Sequence, residues 1–269
     1  MVEWLARRLR AYAEKDGRGY PDWAVRYLPA VRRMRRRGAF RGGRVVEAGA
    51  NECGLARFAN VRVIAVDIDM AHLRAARMDS RVLPVRADLA ALPFRDGAVD
   101  VCVSMDTFEH LPPGTRGAAA AEIVRILCDS GHAVVSFPAG DQTLRAEQAI
   151  QEAYRAYTGR SLRWLDEHAA AGLPVPRDLA ADFETAAGAC YGVTRGKNAS
   201  LCVWRWMWRV MMCGWPGRGN ALFQALLRAV TSVLCRVHVG TCYRAVIWIE
   251  PRAASVSSSD SARKGVRNV

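Results

Sequence analysis

Between Arg44 and Pro138, short apolar runs alternate with segments of helical periodicity. No other feature narrows the fold as far. The runs are VVEA, VRVIAVD, RVLPVRAD, VDVCVSMD and HAVVSFP, with NECGLARF, MAHLRAARM and GAAAAEIVRILC among them. Runs that are apolar throughout, rather than on alternate residues, belong to strands covered on both faces. Strand and helix repeated in this order predict an α/β fold: a doubly wound, mostly parallel sheet with helices on both sides. A chain of 269 residues, 51% apolar, is long enough to bury such a core in one large domain.

The flanks are less regular. Residues 1–43 read as a basic extension of two helices, broken near Asp16-Gly17 and Tyr20-Pro21 and ending in the run Arg32 to Arg37. Residues 44–252 form the main domain. Within it, residues 141–182 make a lid-like insert, helical from Asp141 to about His168 and followed by the loop GLPVPRD. Residues 199–239 make an apolar helical insert. FETAAGACYGVT and TCYRAVIWIEP read as further strands, and the polar, serine-rich residues 253–269 as a disordered tail.

In an open parallel sheet, ligands bind beyond the carboxyl ends of the strands. Here those ends are acidic: Glu47, Asp67, Asp88 and Asp106. Two cofactor classes use such an edge. A dinucleotide needs GxGxxG, so that its pyrophosphate lies against bare backbone at a helix N-terminus. This chain has Gly49-Ala50-Asn51-Glu52-Cys53-Gly54, with Asn51 in place of the second glycine and a carboxylate directly after it. S-adenosylmethionine carries no phosphate. Its ammonium, sulfonium and ribose diol favour nearby carboxylates. Asp67 lies 18 residues beyond Gly49, close to the ~20-residue spacing of an acid that receives ribose hydroxyls. The loop therefore favours adenosylmethionine over NAD.

These motifs resemble those of the class I S-adenosylmethionine-dependent methyltransferases, the broad group of small-molecule and lipid methylators. The match runs from about Arg44 to Gly140. The resemblance implies a Rossmann-like sheet of seven strands, the last antiparallel and inserted beside its neighbour. It places the donor against Glu47, Gly49, Ala50 and Asn51 of the first motif and Asp67 and Ile68 of the second. It adds Asp88 and Leu89 at the adenine, and Ser104 and Asp106 along the fourth strand. RADLAALPFRDGAVDVCVSMDTFEHLPP is the most specific stretch. Asn51 and Cys53 depart from glycine, and Cys128-Asp129-Ser130 stands where the family has Lys-Pro-Gly.

Methyl transfer is an in-line displacement, so positioning supplies most of the rate. His110 is the expected base or loop brace, with Glu109 orienting it or holding the loop. Asp106-Thr107-Phe108-Glu109-His110 also resembles a cation-binding cluster of some quinone-ring and small-RNA methyltransferases. FEHLPP is common in metal-free members, and no metal ligand is expected.

The acceptor is expected to be a small molecule or a lipid- or glycan-linked one. SLCVWRWMWRVMM, with Trp204, Trp206, Trp208, Trp215, Arg205 and Arg209, suits either a membrane interface or a plain core. The net charge of +13 rests on arginine, lysine occurring only at Lys15, Lys197 and Lys264. It suits anionic lipid or nucleic acid, or is simply a solvated surface. RNA ranks lower, since the basic N-terminal helices carry no recognisable appended RNA-binding module. The eight scattered cysteines form no CxxC pair, and MVEWLARRLRAYAEK has no leader-like apolar core. The expected compartment is the cytoplasm, with peripheral membrane contact through residues 200–215 as the variant of that reading. An NAD-dependent oxidoreductase and an inactive methyltransferase-like scaffold remain the rival classes.

Overall fold

A computed structural model describes residues 20–51, 54–76, 79–212, 229–230, 233–234 and 238–252. Seven strands form one sheet: β1 (Val45–Ala48), β2 (Val63–Asp67), β3 (Val82–Arg86), β4 (Val99–Met105), β5 (Leu127–Pro138), β6 (Tyr191–Ser200) and β7 (Cys242–Pro251). Their order is β3-β2-β1-β4-β5-β7-β6. Strands β1 to β5 pair in parallel. Strand β7 slots between β5 and β6 and runs antiparallel to both. The doubly wound sheet with an inserted antiparallel last strand is thus the one expected.

The reason lies in how the strand residues divide. Val46, Cys102, Val135 and Ile247 enter one core, and their neighbours Val45, Val101, Val134 and Val246 enter the other. Both sets are apolar, so each face needs a cover of helices. On the first face lie α4 (Arg116–Ile126) and α7 (Pro176–Ala187), through Ile123 and Phe183. On the second lie α1 (Tyr20–Arg36) and α2 (Gly54–Ala59), through Val31 and Leu55. Helix α3 (Met70–Ala76) follows β2. A third cluster joins α1 to α5 (Asp141–Thr158), α6 (Arg163–Ala171) and α8 (Leu201–Met212), through Val25, Ile150, Leu165 and Trp204.

Two expectations change. The helix expected from Asp141 to His168 is two helices, because Gly159 takes the left-handed conformation (φ 69°) and closes α5 with its N–H on the Arg155 carbonyl. FETAAGACYGVT is strand only from Tyr191. Its first half belongs to α7, which starts on Pro176 and buries Leu179, Phe183 and Ala187 along one helical stripe. The first N-terminal helix, Glu52, Cys53, most of Ala221 to His238 and the tail from residue 253 lie outside the described residues.

Part of the basic run is used within the fold. Arg33 donates to both carboxylate oxygens of Glu250 at 3.1 Å and lies 4.2 Å from the centroid of the Trp248 ring, tying α1 to β7.

Candidate functional site

Strand β1 delivers Glu47 to the edge, fully buried. Its carboxylate accepts the Tyr27 hydroxyl at 2.5 Å and the Leu55 amide at 3.0 Å. Glu47 therefore clamps α1, the loop and α2 together from inside. Gly49 has φ 72°, and a Cβ there would stand 2.1 Å from the Thr107 methyl; only glycine fits. The amides of Gly49 and Ala50 both donate to the Val66 carbonyl. Asn51, itself left-handed at φ 45°, donates its amide to Asp67 Oδ2 at 3.0 Å. The other oxygen of Asp67 accepts the Asp69 amide at 2.8 Å. Beside this turn Ile68 is 61% exposed. Asp88 caps its own turn through the Ala90 amide, Leu89 is buried, and the buried Ser104 hydroxyl has no partner among the described residues. Tyr27→Phe keeps the ring, which stacks on Phe58 at 5.7 Å, and removes one donor from a buried carboxylate. It is expected to lower stability by about 1–3 kcal/mol, read from chemical denaturation.

The end of β4 is built differently. Asp106 is left-handed at φ 52°, and its amide donates to the Ser136 carbonyl at 2.7 Å. Arg244 Nε and Nη2 donate to its carboxylate at 2.8 and 2.6 Å. Arg26 Nε stands 3.0 Å away. Arg26 and Arg244 both reach Asp22 as well. Burial opposes the charge on Asp106, but Arg244 and Arg26 outweigh it and hold its carboxyl below the usual range.

Beyond this network two histidines meet. His110 Nδ1 lies 2.9 Å from Glu167, and His168 Nδ1 lies 3.1 Å from Glu147, which also accepts the Tyr243 hydroxyl at 2.6 Å. The two Nε2 atoms face each other at 3.4 Å. Glu109, fully buried, brings Oε1 to 3.9 Å from His168 Nε2. Neither Glu109 oxygen has a hydrogen-bond partner among the described residues. Burial, and then Asp106, hold its carboxyl well above the usual range. Burial and His168 keep the His110 imidazole below its usual value. A cavity of about 170 Å³ opens over these groups, walled by Trp164, Trp204 and Trp208, and it reaches Asn51 of the glycine loop.

Residues 46–135 match the family model of the methyltransferase domain. Over these residues the chain is similar to a methyltransferase domain. A probable S-adenosylmethionine-dependent methyltransferase of Mycobacterium tuberculosis is 39% identical over 100 residues, 35% of each chain. An uncharacterized methyltransferase of Mycobacteroides abscessus is 32% identical over 108 residues, 37% of this chain and 41% of its own. The match thus spans only about a third of the length of these curated relatives. Among solved structures, a possible histamine N-methyltransferase from Thermotoga maritima superposes with TM-score 0.51 at 14% identity, covering 90% of this chain and 98% of its own. An adenosylmethionine-dependent methyltransferase from Archaeoglobus fulgidus gives 0.50 at 13%, covering 83% and 93%. These two likenesses concern the fold.

The residues expected at the donor divide into two groups. Gly49, Ala50, Asn51, Asp67 and Ile68 come together at one turn pair, with Asp88 and Leu89 on the neighbouring loop. Glu47 and Asp106 have their carboxylates engaged by protein groups, Glu47 by Tyr27 and Leu55, Asp106 by two arginines. Glu109 and His110 do stand together, but the third member of their cluster is His168, not Asp106. Sequence reading missed Asp22, Arg26, Glu147 and Arg244. A charge at Arg244 inside the apolar run CYRAVIWI was the available signal.

Proposed function

We propose that this chain transfers the methyl group of S-adenosylmethionine to a small acceptor, or to the tip of a lipid-linked one, held in the tryptophan-walled cavity. One observation carries the reading: a single cavity is lined both by Asn51, from the loop where the donor is expected, and by Glu109 and His110. Donor and acceptor would then meet across Asn51. When bound, the donor supplies an electrophilic methyl group. The chain's own contribution is to orient it through the glycine turn and Asp67, and to shut out water with the indoles.

The cavity's size restricts the acceptor. About 170 Å³ is below the ~300 Å³ where drug-sized ligands begin. Indole walls and a floor of histidine and carboxylate favour an acceptor with a flat or apolar body and a hydroxyl or amine at its reacting end. On α8, Trp204 and Met207 face inward and Arg205 and Trp206 outward, so a peripheral membrane contact would fall to that outer pair. No helix among the described residues is long and apolar enough to cross a membrane.

Calorimetric titration with adenosylmethionine, adenosylhomocysteine and NAD tests the reading. Binding of both adenosyl compounds at one site, with no heat from NAD, is the expected outcome. Heat from NAD alone would replace the transferase reading with a dinucleotide one.

A further inference from the structure

We propose that Glu109, His110 and His168 form a binding site for one divalent cation of the zinc class, open toward the cavity. Their ligand atoms lie within 4.8 Å of one another, and they come from two separate elements, the turn after β4 and helix α6.

The proton bookkeeping of the two imidazoles is the first reason. Each Nδ1 is held by a carboxylate, His110 by Glu167 at 2.9 Å and His168 by Glu147 at 3.1 Å. A carboxylate accepts, so each Nδ1 carries the hydrogen and each Nε2 of a neutral ring presents a lone pair. The two lone pairs then point at one another across 3.4 Å. That arrangement is repulsive unless something positive lies between them. The carboxylate behind each ring is also the partner that metal-bound histidines usually have, fixing tautomer and orientation.

Glu109 is the second reason. It is fully buried and both its oxygens lack hydrogen-bond partners among the described residues. A proton shared between the imidazoles would relieve the lone pairs and still leave Glu109 unserved. One ion between the three groups serves all of them. The spacing suits it: tetrahedral ligands on zinc at about 2.0–2.1 Å lie about 3.3 Å apart, against 3.4 Å for the imidazole nitrogens. Glu109, at 3.9 Å from His168 Nε2 in a cluster that spreads to 4.8 Å, would close in by up to about 1.5 Å to reach that spacing.

Charge balance is the third. Asp22 and Asp106 are matched by Arg26 and Arg244 in their own network. Glu109 and Glu147, both buried, form no ion pair with an arginine or lysine among the described residues; Glu147 is held by His168 Nδ1 and the Tyr243 hydroxyl. A double positive charge offsets two such carboxylates. Imidazole and carboxylate ligands select zinc or a neighbouring transition metal over magnesium or calcium. The side of the site left free faces the cavity, where water or an acceptor oxygen completes the coordination. Only the acceptor oxygen rests on the methyl-transfer reading; the ion does not.

The test uses the full chain without a polyhistidine tag, stripped with a chelator and kept reduced. Zinc is titrated in competition with a chromophoric chelator, and cobalt is followed in the visible. One equivalent is expected to bind, with a cobalt spectrum free of thiolate charge transfer, which separates this site from exposed Cys190 and Cys202. Glu109→Gln and His168→Ala are expected to weaken zinc by 100-fold or more. Since His168 is buried, His110→Ala, at a third-exposed side chain, gives the same reading with less risk to folding, and thermal melts accompany each variant. His238→Ala, at an exposed position, is expected to bind as the parent does. Absence of a stoichiometric site, or unchanged affinity in folded His110→Ala and Glu109→Gln, overturns the proposal in favour of a proton shared by the imidazoles. Adenosylmethionine calorimetry on the stripped protein separates the two readings: zinc bound without donor heat refutes methyl transfer and leaves the ion site standing.

Discussion

Arg244→Met is expected to cost the fold about 3–5 kcal/mol, because it removes one partner from a buried ion network and leaves charges behind. The side chain is 1% exposed and faces Asp106 at 9% and Asp22 at 3%. Three of its hydrogen bonds go to Asp106 alone. Arg26 would remain, but it is 23% exposed and cannot neutralise both carboxylates. Lysine is not expected to rescue the site, since a point charge cannot reproduce the two-pronged contact of Nε and Nη2 on one carboxylate. At roughly 2–4 °C per kcal/mol for a chain of this size, the melting temperature should fall by about 10 °C. A loss under about 1 kcal/mol in urea denaturation would mean that water reaches the network and that Asp106 is free for other work.

That network also shows what the sequence carried and what it withheld. Strands β1, β2, β4, β5 and β7 were legible because each is apolar on both faces, and turn residues bound them. Strand β6 was legible only in part: Thr194, Arg195 and Lys197 are polar, its burial is irregular, and its strand character comes from pairing with β7 along nearly its whole length. The break at Gly159 was hidden because the apolar stripe of α5 continues into α6, so periodicity alone read them as one helix. At α7, Pro176 reads from the sequence as a loop marker, although proline suits a helix start equally well.

At the site, position was legible and partnership was not. Acids at the ends of the strands follow from counting along the chain. Which group each one faces depends on residues far away: Glu47 on Tyr27, Asp106 on Arg244, 138 residues later. The cluster DTFEH read as a local unit suggests that Asp106, Glu109 and His110 point the same way. The left-handed turn at Asp106 sets its carboxylate against Arg26 of α1 and Arg244 of β7, although it lines the same cavity as Glu109 and His110. His168 then arrives from α6 to complete the group. From the sequence His168 reads equally as a lining residue of the lid over the acceptor or as packing of a helix on the sheet, and helical periodicity does not separate the two.

Asp67→Ala is expected to weaken adenosylmethionine binding by about 100-fold or more. Asp67 ends β2 at 8% exposure, and its two oxygens hold the Asn51 and Asp69 amides at 3.0 and 2.8 Å. The same carboxylate is the expected acceptor for the ribose diol. Removing it therefore deletes the ligand's partner and also frees the turn that shapes the crevice. Two charge-assisted hydrogen bonds at about 1.5 kcal/mol or more each give the hundredfold figure. Asp67→Asn keeps one accepting oxygen and should fall between parent and alanine. The informative comparison is with adenosylhomocysteine, which has the same ribose but no sulfonium charge. Equal losses for both compounds place the effect of Asp67 at the sugar. A loss for adenosylmethionine alone would assign Asp67 to the cationic end. An affinity within threefold of the parent for both compounds would remove Asp67 from the donor site, and with it the reading of β2 as the strand that holds the nucleoside.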